Sequence, residues 1–149
     1  MRSLQANINT RVVTVGIILA LVIDVFAKYV ANTLFHHQAW FSYKEIFAFI
    51  LFKNTSGAFG IPIPIPLLIF LSVIGLALIL SYRKKLQPPN AILAVCCGGL
   101  SNTIDRLING FTTDYLVFWR ISAWNIADLL ICAGLFSLFL YSRRRAHSS

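Results

Sequence analysis

A chain of 149 residues that is 58% hydrophobic and only 12% charged has room for one domain and is too apolar for an ordinary soluble one. Its net charge of +8 does not gather on one face: Arg2, Arg11, Arg83, Lys84, Lys85, Arg143, Arg144 and Arg145 fall in the N-terminal segment, one short loop and the C-terminal tail. None of these three segments contains an acid, which is the positive-inside pattern of a membrane protein and excludes a nucleic-acid partner.

The stretch Met1–Arg11 is polar and basic, so it is placed in the cytoplasm. Val12–Leu34 is the first span, long enough at ~1.5 Å per residue to cross a core about 30 Å thick. Its basic flank and apolar run suggest a signal peptide. The run continues past Asp24 and Lys28 without a small-x-small cleavage site, so an uncleaved span is expected. Asp24 and Lys28 stand at i and i+4, where they pair and lower each other's insertion cost.

Phe35–Pro64 is the largest external segment and is rich in aromatics. Ile46–Phe52 is composed of β-formers, and Asn54-Thr55-Ser56-Gly57 is a turn signal. A small sheet or hairpin on the outer membrane face is expected, alongside the blander role of an interfacial aromatic belt. Ile61–Pro66 alternates isoleucine and proline, which forces an extended backbone; Pro66 then suits the first turn of the second span, Leu67–Tyr82. Arg83-Lys84-Lys85 closes that span on the cytoplasmic side. The third span is Ala91–Ile108, ended by Asn109-Gly110, and the fourth is Ile121–Tyr141. Residues 1–149 thus form a single integral membrane domain, mainly α, with four transmembrane helices and both termini cytoplasmic. Cys96, Cys97 and Cys132 sit inside apolar runs and are expected to be packing residues.

The chain is organised around Gly98–Asp128, which holds three of its five acids between apolar flanks. Asn102, Asp105 and Arg106 share one face of a helix by their i, i+3, i+4 spacing; Asn125 and Asp128, at i and i+3, share another. Asp114 lies between them in a short connection containing Gly and Thr. Counting along ideal helices from Arg11, Asn90 and Arg143, Asp24 lies about 20 Å, and Asp105 and Asp128 about 22 Å, towards the outer face. Acids on three spans therefore reach similar heights, which scattered polar tolerance does not predict.

Intramembrane carboxylates are expensive and need a reason. Two of them in contact share one proton: the ionised member activates a water and the protonated one polarises a carbonyl, which suits peptide hydrolysis without a metal. The competing reading of each acid is an ion pair between helices. It weighs most for Asp105 with Arg106 and for Asp24 with Lys28, and least for Asp114 and Asp128. His36 and His37 are neighbours that point apart and His147 is in the tail, so no zinc ligand set assembles and no histidine base serves a Ser or Cys nucleophile. No metal or other cofactor is expected. A small proton-coupled transporter or channel is the alternative, since intramembrane acids also suit a proton relay. Against it, the chain lacks an internal repeat and its acids gather near one face. A scaffold with polar helix contacts is a third reading.

The chain resembles bacterial lipoprotein signal peptidase, also called signal peptidase II. The resemblance is carried by Asp24 with Lys28, by Asn54-Thr55-Ser56-Gly57-Ala58-Phe59-Gly60, and by Gly98-Gly99-Leu100-Ser101-Asn102-Thr103-Ile104-Asp105-Arg106. It continues through Gly110–Asp114 and Trp124-Asn125-Ile126-Ala127-Asp128. It implies an aspartic endopeptidase of the bacterial inner membrane that cleaves diacylglyceryl-prolipoproteins before the lipid-modified cysteine, with its site near the outer face. It implies Asp114 and Asp128 as catalytic aspartates, and Asn54, Asn102, Arg106 and Asn125 as residues that position substrate or dyad. Asp24 and Lys28 would support the site, and Asp105 is assigned to structure. The external segment between spans 1 and 2 would form a β-cradle. The partners expected are the prolipoprotein and membrane lipids, and the chain is expected to act as a monomer. Three positions depart from the family pattern: Ser56 and Ser101 stand where glycine is usual, and Thr112 where an apolar residue is usual.

Overall fold

The computed structural model describes residues 2–34, 41–43, 46–57, 60–119 and 122–147. His36, His37, Ala58, Phe59 and Arg120 lie outside the described residues. In chain order the elements are α1 (Arg2–Leu34), β1 (Phe41–Tyr43), β2 (Phe47–Asn54), α2 (Ile65–Tyr82), α3 (Pro89–Asn109), β3 (Thr112–Phe118), β4 (Ser122–Trp124) and α4 (Ile126–Ala146). All four helices contain a stretch long and apolar enough to cross a membrane.

Prolines start two of the helices. Pro64 precedes α2 and Pro88 precedes α3, each followed by a proline in the first turn, where the missing N–H is no loss. Gly110 ends α3 in the left-handed region at φ 74°, its N–H returning to the Arg106 carbonyl at 3.0 Å. The fourth helix begins at Ile126 and not at Ile121 as expected. Ser122–Trp124 is a strand, and Asn125 caps the helix where a face of it was expected.

The helix α3 is the hub, packing on α1, α2 and most extensively on α4. Lipid is as apolar as leucine, so helix association here needs close approach and polar contacts instead of hydrophobic drive. Gly98 supplies one close approach: a Cβ there would overlap the Ala127 carbonyl of α4. Gly134 supplies the other, since its Cβ would meet the Ala91 carbonyl and Val95 Cγ2 at 2.6 Å each. The face of α3 that these contacts cover is mostly small or polar, and continues through Ser101, Asn102, Thr103 and Asp105. By contrast α2 buries no residue, and its Phe70, Val73 and Leu78 lie on the surface, as a lipid-facing helix requires.

The four strands form one antiparallel sheet in the order β1-β2-β3-β4. The sheet expected between spans 1 and 2 is therefore completed by the segment between α3 and α4, and Asp114 stands on a central strand and not in a loop. The pairing of β2 with β3 runs Phe47↔Phe118, Ala48↔Val117 and Phe49↔Leu116, then resumes at Phe52↔Asp114 and Asn54↔Thr112 after a bulge in β2. The Phe47 and Phe118 rings pack at 5.3 Å, and Trp119, at φ 46°, returns its N–H to the Ile46 carbonyl at 2.9 Å. Thr112, Thr113, Asp114 and Tyr115 of β3 are all buried.

Candidate active site

Alternation along β3 sends Thr113 and Tyr115 to one side and Asp114 to the other. Asp114 accepts two amide donors, Asn54 Nδ2 at 2.9 Å and Asn125 Nδ2 at 2.7 Å. Asp128 stands in the first turn of α4. It accepts Asn102 Nδ2 at 2.8 Å and the Asn125 backbone N–H at 3.2 Å, while its own N–H donates to Asn125 Oδ1 at 2.9 Å. The pair of bonds between Asn125 and Asp128 is a reciprocal capping box. One residue, Asn125, thus holds both carboxylates: its side-chain NH₂ donates to Asp114, its backbone N–H donates to the Asp128 carboxylate, and its amide oxygen accepts the Asp128 N–H.

Each of these asparagines is fixed in one orientation by a partner that can only donate. Asn54 Oδ1 accepts the Ser56 N–H at 2.9 Å, Asn125 Oδ1 accepts the Asp128 N–H, and Asn102 Oδ1 accepts Lys28 Nζ at 2.8 Å. The NH₂ of each is therefore turned to a carboxylate. Burial, reinforced by the negative charge of Asp128, pushes the Asp114 carboxyl up to about 7; the Asn54 and Asn125 amides and Lys28 pull the other way. Asp114 accordingly exchanges a proton near neutrality.

Beneath the two acids lies a second polar layer from α1, α3 and β3. Lys28 Nζ pairs with Asp24 Oδ2 at 3.1 Å, lies 3.7 Å from Asp105 Oδ2, and donates to Ser101 Oγ at 3.0 Å. Asp24, fully buried, also accepts Ser101 Oγ at 2.7 Å, Tyr115 OH at 2.8 Å and the Ala127 N–H at 3.1 Å. Asp105 accepts the Thr113 N–H at 2.6 Å, Thr113 Oγ1 at 3.1 Å and Asn109 Nδ2 at 2.6 Å. Asn32 Nδ2 reaches Thr113 Oγ1 at 2.8 Å. Burial first, then the charge of Asp24, raises the Tyr115 phenol further above its ordinary range, so it remains a protonated donor.

All nine residues singled out in the sequence thus fall in or around one cluster. The partner expected of Asp105 differs: its ionic contact is with Lys28 on α1, not with its neighbour Arg106. Arg106 is electrostatically coupled to Asp128, Asp114 and Asp105, and its Nε is buried without a hydrogen-bond partner. Thr112 Oγ1 is also buried without one. The residues missed by sequence reading are Asn32, Ser101, Thr113 and Tyr115. Tyr115 was accessible to it, since it follows Asp114 in a strand-forming run whose alternate positions face opposite ways. Among the described residues no group of three or more His, Cys, Asp or Glu side chains is placed to hold a metal ion.

A family model described as signal peptidase (SPase) II matches residues 16–144. The "Lipoprotein signal peptidase" of Actinobacillus succinogenes is 31% identical over 83% of this chain and 84% of its own. That of Coxiella burnetii is 29% identical over 83% and 85%. A solved bacterial membrane enzyme, determined by the in meso method, superimposes with a TM-score of 0.80 at 19% identity, over 91% of this chain and 90% of that one.

Proposed function

Because the chain belongs to the signal peptidase II family, we propose that it removes the signal peptide from diacylglyceryl-prolipoproteins, cutting before the lipid-modified cysteine. It does so as a multi-pass protein of the bacterial inner membrane, with its site near the outer face and both termini in the cytoplasm. The observation that carries the mechanism is the joint hold of Asn125 on Asp114 and Asp128. Two carboxyls held this way and coupled through their charges serve as one acid–base unit.

Asp114 carries the shared proton near neutrality and donates a hydrogen bond to the scissile carbonyl oxygen. Asp128 takes a proton from a water placed between the two acids, and the resulting hydroxide adds to the carbonyl carbon. Oxygen gains the Asp114 proton and the tetrahedral intermediate forms. Collapse of the intermediate returns a proton to Asp114, breaks the C–N bond, and passes the Asp128 proton to the leaving amine. The asparagine amides hold each carboxylate's lone pairs, so neither acid swings out of line as its charge changes. Arg106, electrostatically coupled to both acids, positions the substrate backbone or the dyad.

The test is cleavage of a diacylglyceryl-prolipoprotein by purified protein in detergent. Asp114→Asn and Asp128→Asn each keep the size of the side chain and one of its two acceptor oxygens but cannot cycle a proton. Each is expected to abolish turnover while retaining substrate binding, with the double variant little worse than either single. A chelator is expected to change nothing. Near-normal cleavage by either single variant refutes the aspartyl mechanism.

A further inference from the structure

We propose that Tyr115 is a positioning residue that fixes the separation of the two carboxylates by clamping the first turn of α4 to β3. The proposal rests on the dyad reading above. Tyr115 follows Asp114 on the strand, so its backbone is tied to that acid. Its hydroxyl accepts the Ile126 N–H, the first amide of α4, at 3.1 Å and donates to Asp24 Oδ1 at 2.8 Å. The same Asp24 oxygen accepts the Ala127 N–H, the second amide, and Asn125 Oδ1 accepts the third, from Asp128 itself. A helix start leaves its first N–H groups without partners inside the helix. Here three elements share them: β3 takes one through Tyr115, α1 takes one through Asp24, and the cap takes the last.

The side chain that does this is 1% exposed, and its ring packs on Phe49 of β2 at 5.3 Å, so it has little room to shift. The phenol oxygen is therefore the contact by which β3, the strand that carries Asp114, holds the start of the helix that carries Asp128. A phenylalanine ring would fill the same space, yet leave the Ile126 N–H without an acceptor and Asp24 without one of its donors. The neighbouring Thr113 cannot substitute, because its hydroxyl is engaged by Asp105 and Asn32.

The experiment compares Tyr115→Phe with wild type in the detergent cleavage assay across pH. KM is expected to stay within about twofold and kcat to fall about ten- to a hundredfold, the size of an ångström-scale misplacement. A dyad that needs one carboxyl protonated and one ionised gives a bell-shaped pH–rate profile. In the variant this bell is expected to narrow, because carboxyls held farther apart couple less and their two apparent pKa values converge. The other charges facing the dyad are Asp24 and Lys28 on α1 and Asp105 and Arg106 on α3. All are retained in the variant, and Lys53 of β2 is turned to the Phe111 ring at 5.1 Å. A variant that loses stability but keeps wild-type kcat and bell width overturns the clamp. Asp114→Asn is run in parallel. If it cleaves, the dyad reading and the clamp fall together; if it is dead while Tyr115→Phe is normal, only the clamp falls. Should Tyr115→Phe not fold, amide exchange in the wild type decides: slow exchange at Ile126, matching the interior of α4, supports the clamp, and exchange at the rate of an exposed amide overturns it.

Discussion

Replacing Lys28 by methionine keeps the aliphatic stem and removes one charge from a place where it faces two acids. Lys28 lies 3.1 Å from Asp24 and 3.7 Å from Asp105, and donates to Ser101 and Asn102. Removing one partner of a buried ion pair costs about 3–5 kcal/mol. The lower end applies here. Asp24 keeps Ser101, Tyr115 and the Ala127 N–H, and Asp105 keeps Thr113 and Asn109, so neither acid is stripped. We expect Lys28→Met to lose about 3 kcal/mol, and Asp24→Asn about 2 kcal/mol through its weakened charged hydrogen bonds. The double variant should fall short of their sum by at least about 1 kcal/mol, because the second change removes an acid that the first left uncompensated. Equilibrium unfolding in mixed detergent micelles measures all three. Turnover should also drop about tenfold or more in Lys28→Met, because the Asn102 amide is no longer held with its NH₂ on Asp128. A double variant whose loss equals the sum of the singles would refute the coupling, and with it the claim that this ammonium organises the layer beneath the dyad.

Asp114 gives a pH signature. Its folded carboxyl is raised to about 7, above the unfolded value of roughly 4, so the native state holds the extra proton between those limits and stability falls as pH rises through them. Asp114→Asn removes that titration, so its melting temperature relative to wild type should rise between pH 4 and pH 8, whatever fixed cost comes from facing its NH₂ to an amide donor; a difference that stays constant with pH would contradict the raised carboxyl. Gly98→Ala should destabilise by about 1–3 kcal/mol and lower activity, since its Cβ overlaps the Ala127 carbonyl one residue before Asp128. Gly75→Ala, which meets nothing within 4 Å, serves as the neutral control. Tags placed at residues 1 and 149 should resist an external protease in intact cells, and digestion of either would reverse the proposed orientation.

The spans were legible because a bilayer demands long apolar helices, and the pairing of Asp24 with Lys28 because i, i+4 geometry is local. The sheet was half legible. β-formers mark Ile46–Phe52, but the partner strand lies far along the chain, with Asn54 and Asp114 sixty positions apart, and no local pattern encodes that pairing. The start of α4 was misplaced because Ile121–Trp124 is as apolar as the helix that follows. The Asn125 and Asp128 spacing that marks the true start serves a capping box as well as a helix face. Asp105 was matched to its sequence neighbour because sequence shows adjacency, whereas its partners Lys28 and Thr113 come from another helix and a strand. Ser101 was marked only as a departure from a usual glycine, and Thr113 and Tyr115 escaped notice, because hydroxyl residues are common and only the fold shows that theirs are buried against acids.

The extra residue in β2 chooses the chemical character of the wall beside Asp114. In an unbroken ladder from Phe49↔Leu116, Leu51 would lie opposite Asp114 and Lys53 opposite Thr112, placing an ammonium on the face of the acid. The bulge advances the strand by one position, so Asn54 takes that place and Lys53 is thrown to the far face, opposite Thr113. A neutral donor that leaves the carboxyl free to hold its proton thus stands where a fixed cation would have locked it in the ionised form. Strand parity keeps a fixed cation off an acid whose pKa is held up by burial and by the charge of Asp128.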